Sequence, residues 1–266
     1  MSAPVDRLLP TALNSTPILC LHGLGSRGSD WDGMLGALCQ GGRPGLAPDL
    51  LGHGREPSTA TRLSIEDQAD HVTRWLEARG APARIHGIGI SLGAMVALEL
   101  AARTPQRWAS LTLMSPTPDT RLRSLGACGL YLMRRLAFEC LSSDRHARWL
   151  AGRLFPGLGQ AALRQQFRER WREIDPAGYR ASLRGSVGWT ITGRESRIAC
   201  PTLLLRGTRD FFPARAAKAL ATRLPSATLE EFEGLGHAFL VEAPERVVPR
   251  VAAFLASVEA TADPSS

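Results

Sequence analysis

The five residues Gly89-Ile90-Ser91-Leu92-Gly93 constrain this chain more than any other stretch. They follow an apolar run, Arg84 to Ile90, that reads as a buried strand, and they open Leu92 to Ala102, which reads as a helix. A chain passing from strand to helix within one residue must turn sharply. Glycine on each side of the serine avoids the collisions that side chains there would make with neighbouring backbone. Ser91 is then presented at a helix start, where free N–H groups favour negative charge developing on an attacked carbonyl. The pattern marks Ser91 as a candidate nucleophile.

The rest of the chain has the rhythm that such a turn needs. Short apolar runs alternate with helical patterns, the signature of parallel strands joined by crossover helices. Pro17 to Leu21, Gly45 to Asp49, Arg84 to Ile90 and Trp108 to Met114 read as four strands. Helices are expected over Asp30 to Leu38, from Ser64 to about Ala78, and over Leu92 to Ala102. Ser64 with Asp67 three residues on has the spacing of a capping box. The alternation breaks at Thr117 and resumes with Thr202 to Arg206, Ala214 to Leu224, Thr228 to Phe232 and Pro244 to Val258. Residues 117–198 show helical patterns only. Leu163, Phe167, Trp171 and Ile174 share one helix face, and Leu130 to Leu141 is helical and apolar. The reading is a core formed by residues 1–116 and 199–266, with a helical cap, 117–198, inserted over the carboxyl edge of the sheet, where such folds bind ligands. The residues ahead of the first strand leave room for little more than one edge strand.

A serine hydroxyl needs a base. Of six histidines, His22 and His53 sit in glycine-rich turns, His86 in a strand, and His71 and His146 in helical patterns. His237, in Gly234-Leu235-Gly236-His237, alone combines a position after the nucleophile with a loop at the carboxyl end of a strand. The base needs an anion to fix its tautomer. Asp210, in a short turn after Thr202 to Arg206 with Pro213 at the next helix start, is the favoured partner. Asp119, after the strand ending at Met114, competes with it. The backbone N–H groups of Leu24, in His22-Gly23-Leu24-Gly25, and of Leu92 are the candidate oxyanion donors.

Together, HGLGS with Trp31, APDLLGHGR, GISLG, GTRDFFP and GLGHAFLVEAPERV resemble the α/β-hydrolase superfamily. The resemblance points to its bacterial branch of carboxylesterases, 3-oxoadipate enol-lactonases and pimeloyl-carrier-protein methyl ester esterases. It implies an α/β-hydrolase fold: a mostly parallel sheet flanked by helices, with a cap after the strand ending near Met114. It also implies the chain order Ser91, Asp210, His237 and cleavage of a carboxylic ester, thioester or lactone through an acyl-enzyme, with no cofactor and no metal. Serine at position 91 argues against the branches that use an aspartate nucleophile there. A lyase, or a ligand-binding protein that has lost catalysis, would reuse the same scaffold.

Charge adds a partner. The chain has 266 residues and a net charge of +7, but residues 117–198 hold 15 arginines against 7 acidic residues. Arg164, Arg168 and Arg172 recur every four residues beside the apolar face. A basic, apolar-lined cap suits an acidic acyl carrier protein or the phosphate of a pantetheine arm. No recognised nucleic-acid-binding motif accompanies the charge. No apolar run reaches the ~18 residues that span a bilayer. There is no secretory leader pattern, and five scattered cysteines outline neither a zinc site nor a disulfide framework. A cytoplasmic setting is expected.

Overall fold

A computed structural model describes residues 15–123 and 125–262. Six strands, β1 (Ile18–Leu21), β2 (Gly45–Leu46), β3 (Ile85–Ile90), β4 (Trp108–Met114), β5 (Thr202–Gly207) and β6 (Ala227–Phe232), form one sheet in the order β2-β1-β3-β4-β5-β6. Every pairing is parallel. Side chains alternate between faces, as a strand period of two requires. Leu19, Leu21 and Leu204 join α2 (Ile65–Ala78), α3 (Leu92–Arg103) and α8 (Ala214–Arg223) in one core. Ile18, Cys20, Leu203 and Leu205 face α1 (Asp32–Leu38) and α10 (Pro244–Ala262) in the other. Burial on both faces explains why these strands read as continuous apolar runs.

Between β4 and β5 come α4 (Leu125–Cys140), α5 (Ser143–Leu154), α6 (Ala161–Trp171) and α7 (Pro176–Gly185). Their own apolar cluster includes Ala147, Leu150, Trp171, Tyr179 and Leu183, and the side chain of Leu24, just past β1, packs against it. Leu63 N donates to Ala181 O at 3.0 Å. The inserted helices therefore rest on loops at the carboxyl edge of the sheet. Glu99 of α3 ties the returning chain down, accepting from Trp189 Nε1 at 2.8 Å and from both terminal nitrogens of Arg194 at 3.0 and 2.8 Å.

Several local expectations change. The second strand stops at Leu46 rather than reaching Asp49, because the Asp49 carboxylate is pulled aside to accept from Gly28 N and Arg55 N at 2.7 and 2.9 Å. The helix carrying Leu163, Phe167 and Trp171 ends at Trp171, so Ile174 packs from a turn beyond it; Asp175 caps the next helix, with Pro176 in its first turn. The capping box is present: Ser64 Oγ accepts from Asp67 N at 3.1 Å, and Ser64 N donates to Asp67 Oδ2 at 2.8 Å. A short helix, α9 (Phe239–Glu242), follows His237 unanticipated. The edge strand anticipated ahead of Pro17 lies outside the described residues.

Candidate active site

Ser91 lies between β3 and α3 with φ 53° and ψ −109°, a left-handed conformation that costs a non-glycine residue energy. The turn is so tight that a Cβ on Gly89 would sit 2.4 Å from Gly93 O, and one on Gly93 2.0 Å from Leu21 O. Neither position accepts a side chain without backbone movement. Ser91 N donates to Met114 O at 2.9 Å, which fastens the turn to the end of β4.

His237 and Asp210 come from the loops after β6 and β5. His237 Nδ1 lies 3.0 Å from Asp210 Oδ1, and their side chains are 7% and 1% exposed. Asp210 also accepts from Phe212 N at 2.9 Å, and the Ser115 hydroxyl lies beside it. Burial pushes its carboxyl pKa up, but the His237, Ser115 and Phe212 contacts outweigh burial and leave it below the ordinary carboxylate value. An ionised carboxylate only accepts, so His237 carries its proton on Nδ1, and Nε2 turns a lone pair away from Asp210. The imidazole packs against Phe211, ring centres 4.3 Å apart, and Phe212, 5.4 Å. Asp119 is engaged elsewhere. Its carboxylate takes Arg121 N and Nε at 2.9 and 2.8 Å, and its backbone bridges to Thr190.

The loop carrying Leu24 lies against the same turn. A Cβ on Gly23 would be 3.6 Å from Ile90 O and 3.7 Å from Ser91 Cβ. His22 holds this loop from below: Nδ1 donates to Gly23 O at 2.8 Å and Nε2 accepts from Leu50 N at 2.9 Å. Those partners fix a neutral imidazole, and burial, with help from His53, drives its pKa down to about 3. The Leu92 amide belongs to the first turn of α3, where helix N–H groups have no intrahelical acceptor. The other histidines have structural neighbours: His53 meets Leu51 O, His71 Asp49 O, His86 Ser110 and Glu259, and His146 an aromatic cluster.

The three arginines on α6 and at its end do not form a common open face. Arg164 Nη1 is spent on Phe155 O and Gly157 O, both at 2.8 Å, and Arg168 pairs with Asp144 at 2.9 Å. Arg172, at the end of α6, is exposed. A helical repeat of four puts residues on one side, but acceptors from α5 and its following loop claim the first two. Ser115 is a neighbour of Asp210 and His237 that the sequence did not reveal. It is buried, has φ 48°, and reaches both Asp210 and, at 3.5 Å, His237 O. A cleft of about 580 Å³ opens beyond the 25–28 loop, walled by Asp49, His53, Arg55, Glu173 and Tyr179 among others; Ser91, Asp210 and His237 do not line it. Among the described residues no group of three or more His, Cys, Asp or Glu side chains is arranged to hold a metal ion.

A model described as "Alpha/beta hydrolase family" matches residues 18–250. The chain is 30% identical to a protein of Variovorax paradoxus with the provisional name carbamate hydrolase RutD, across 93% of this chain and 94% of that one. It is 29% identical to a pimeloyl-[acyl-carrier protein] methyl ester esterase of Aromatoleum aromaticum, covering 88% and 95%. Among solved structures, a hydrolase from Pseudomonas aeruginosa PA01 superposes with TM-score 0.80 at 25% identity over 91% of each chain.

Proposed function

Since the chain belongs to the alpha/beta hydrolase family, we propose that it cleaves a small carboxylic ester, thioester or lactone through an acyl-enzyme on Ser91. The observation that carries this reading is the His237–Asp210 contact, 3.0 Å long and buried, in loops on the same sheet edge as the strained Ser91 turn. His237 Nε2 takes the Ser91 hydroxyl proton as Oγ attacks the carbonyl carbon, and passes it to the leaving oxygen or sulfur as that bond breaks. Water, deprotonated by the same nitrogen, then releases the acid and returns Ser91 to its free form. Asp210 holds the imidazole and balances the imidazolium charge. The N–H groups of Leu24 and Leu92 receive the oxyanion, each worth ~3 kcal/mol of transition-state stabilisation. This cycle calls on no cofactor.

Residues 117–198 act in this reading as a cap on the core of 1–116 and 199–266, screening the site from bulk water. A second substrate form, an ester carried on an acyl carrier protein, is supported by the relative of that name and by the basic character of the inserted segment. In that case Arg172, exposed at the end of α6, is a better candidate contact than Arg164 or Arg168. We place the enzyme in the cytoplasm, a setting in keeping with the free thiols of Cys20, Cys39, Cys128 and Cys200.

The experiment is active-site labelling. Wild-type protein incubated with a fluorophosphonate should be labelled stoichiometrically, and Ser91→Ala should not. Equal labelling of both, or no labelling of either, contradicts the proposal.

A further inference from the structure

Arg153 occupies the last turn of α5, close to the His237 loop. That helix end is pressed onto the loop: a Cβ on Gly236 would lie 2.8 Å from Leu154 O and 3.0 Å from Pro156 Cδ. From there the Arg153 guanidinium carbon reaches 5.5 Å from the Phe211 ring centre and 5.5 Å from that of Trp149. Phe211 in turn lies against the His237 imidazole. A cation is thus held within two stacked-ring spacings of His237, placed by aromatic faces rather than by an anion.

Among the described residues, seven of the fifteen arginines in 117–198 pair with a carboxylate, and Arg153 is among the eight that do not, as is Arg180, which lies over Phe138. Arg148 and Arg168 share Asp144, Arg135 and Arg184 share Glu139, and Arg170 is tied to Asp30 and Glu173. Arg194 is held by Glu99 and Arg121 by Asp119. Among the described residues, no carboxylate comes within ion-pair distance of Arg153. A guanidinium is planar, always charged and weakly hydrated; held over aromatic faces without a carboxylate partner, it has N–H groups to offer an oxyanion. Its position at a helix C-terminus is one that favours a cation even before a ligand arrives.

We infer that Arg153 is a substrate-anion anchor: the ester that this protein hydrolyses carries, besides its reacting carbonyl, a free carboxylate that pairs with the Arg153 guanidinium. The inference rests on the proposed hydrolase reading and adds the class of substrate to it. Arg153 is a specificity determinant that touches the substrate remote from the bond that breaks. The carboxylate stays unprotonated and unreacted throughout, so the acyl transfer itself is unchanged.

The test compares two pairs of substrates of matched length: the p-nitrophenyl monoesters of adipic and suberic acid against p-nitrophenyl hexanoate and octanoate. Wild-type protein should prefer the monoacid of each pair in kcat/KM. Arg153→Met keeps an apolar stem against the rings and removes the charge. It should lower kcat/KM for the monoacids by about tenfold to a hundredfold, the usual worth of a hydrogen-bonded ion pair, while the neutral esters stay within about threefold. Arg153→Lys should recover part of the preference, because it restores charge without the planar fork. Equal losses on monoacid and neutral ester would overturn the inference and leave Arg153 a packing residue. So would an unchanged preference. The neutral esters report on Ser91 chemistry alone, so their turnover separates a failure of the anchor from a failure of the hydrolase reading. A binding arm does not depend on turnover. Titration of adipic acid monoamide into Ser91→Ala should give heat that disappears in Ser91→Ala/Arg153→Met, and equal heats would overturn the anchor.

Discussion

Asp210 is nearly sealed from solvent, yet its pKa lies below the ordinary value, because the His237 ring N–H and the Phe212 amide both meet its Oδ1 and the Ser115 hydroxyl lies beside it. That is the environment a permanent anion beside a base requires. Replacing it by asparagine keeps the volume but supplies an amide that can hold the wrong imidazole tautomer. On the proposed reading, Asp210→Asn should lower kcat for a p-nitrophenyl ester by about 10⁴. Asp119→Asn should leave kcat within a few-fold, since its carboxylate serves Arg121. Steady-state kinetics decide; a large loss in Asp119→Asn with Asp210→Asn little changed would make Asp119 the partner after all. At this scale the sequence was informative where residues sit in glycine-marked loops after strands, which is the case for Ser91, Asp210 and His237. Ser115 left no such mark. A serine before proline at a strand end is ordinary, and only the structure shows its positive φ and its reach to the His237 carbonyl beside Asp210.

The elements were legible in proportion to how far local pattern determines them. Ser64 and Asp67 predicted a helix start and the hydrogen bonds are there, because a capping box is satisfied within four residues. The end of β2 was not legible, because it depends on Gly28, far back along the chain, joining Arg55 in holding the Asp49 carboxylate outside the strand. The apolar stripes of the inserted helices were visible, but not what fills the space between them. His146 of α5 sits there among Phe138, Trp149, Trp171 and Tyr179. Burial, with a smaller push from Arg134, lowers its pKa from 6.5 to about 4. As pH falls from 6.5 towards 4, the unfolded chain gains a proton that the folded one refuses. Stability is therefore lost over that window, at up to about 1.4 kcal/mol per pH unit, and is unaffected above it. His22, lowered to about 3, continues the loss to lower pH. His146→Phe should flatten the fall of Tm between pH 6.5 and 4 without lowering Tm at alkaline pH. Thermal unfolding across that range checks this, and an unchanged slope would contradict it.

For the whole molecule, the parallel sheet with helices on both faces follows from continuous apolar strands and crossover helices, and the alternation of β1 and β5 side chains between two cores is its packing expression. What long-range contact alone determines is how four strand ends converge. Met114 O holds the Ser91 turn, Asp210 and His237 meet from the loops after the consecutive strands β5 and β6, and the inserted helices press on Leu24 at one side and Gly236 at the other. The reading that joins these contacts is that Ser91 becomes covalently acylated. Its most direct measurement is peptide mass mapping of protein mixed with a p-nitrophenyl ester and quenched in acid during the first turnover. A burst of p-nitrophenol and the acyl mass on the peptide containing Ser91 are expected. A burst with the acyl group on any other residue, or turnover with no acylated peptide under conditions where release of the acid limits the rate, would contradict it.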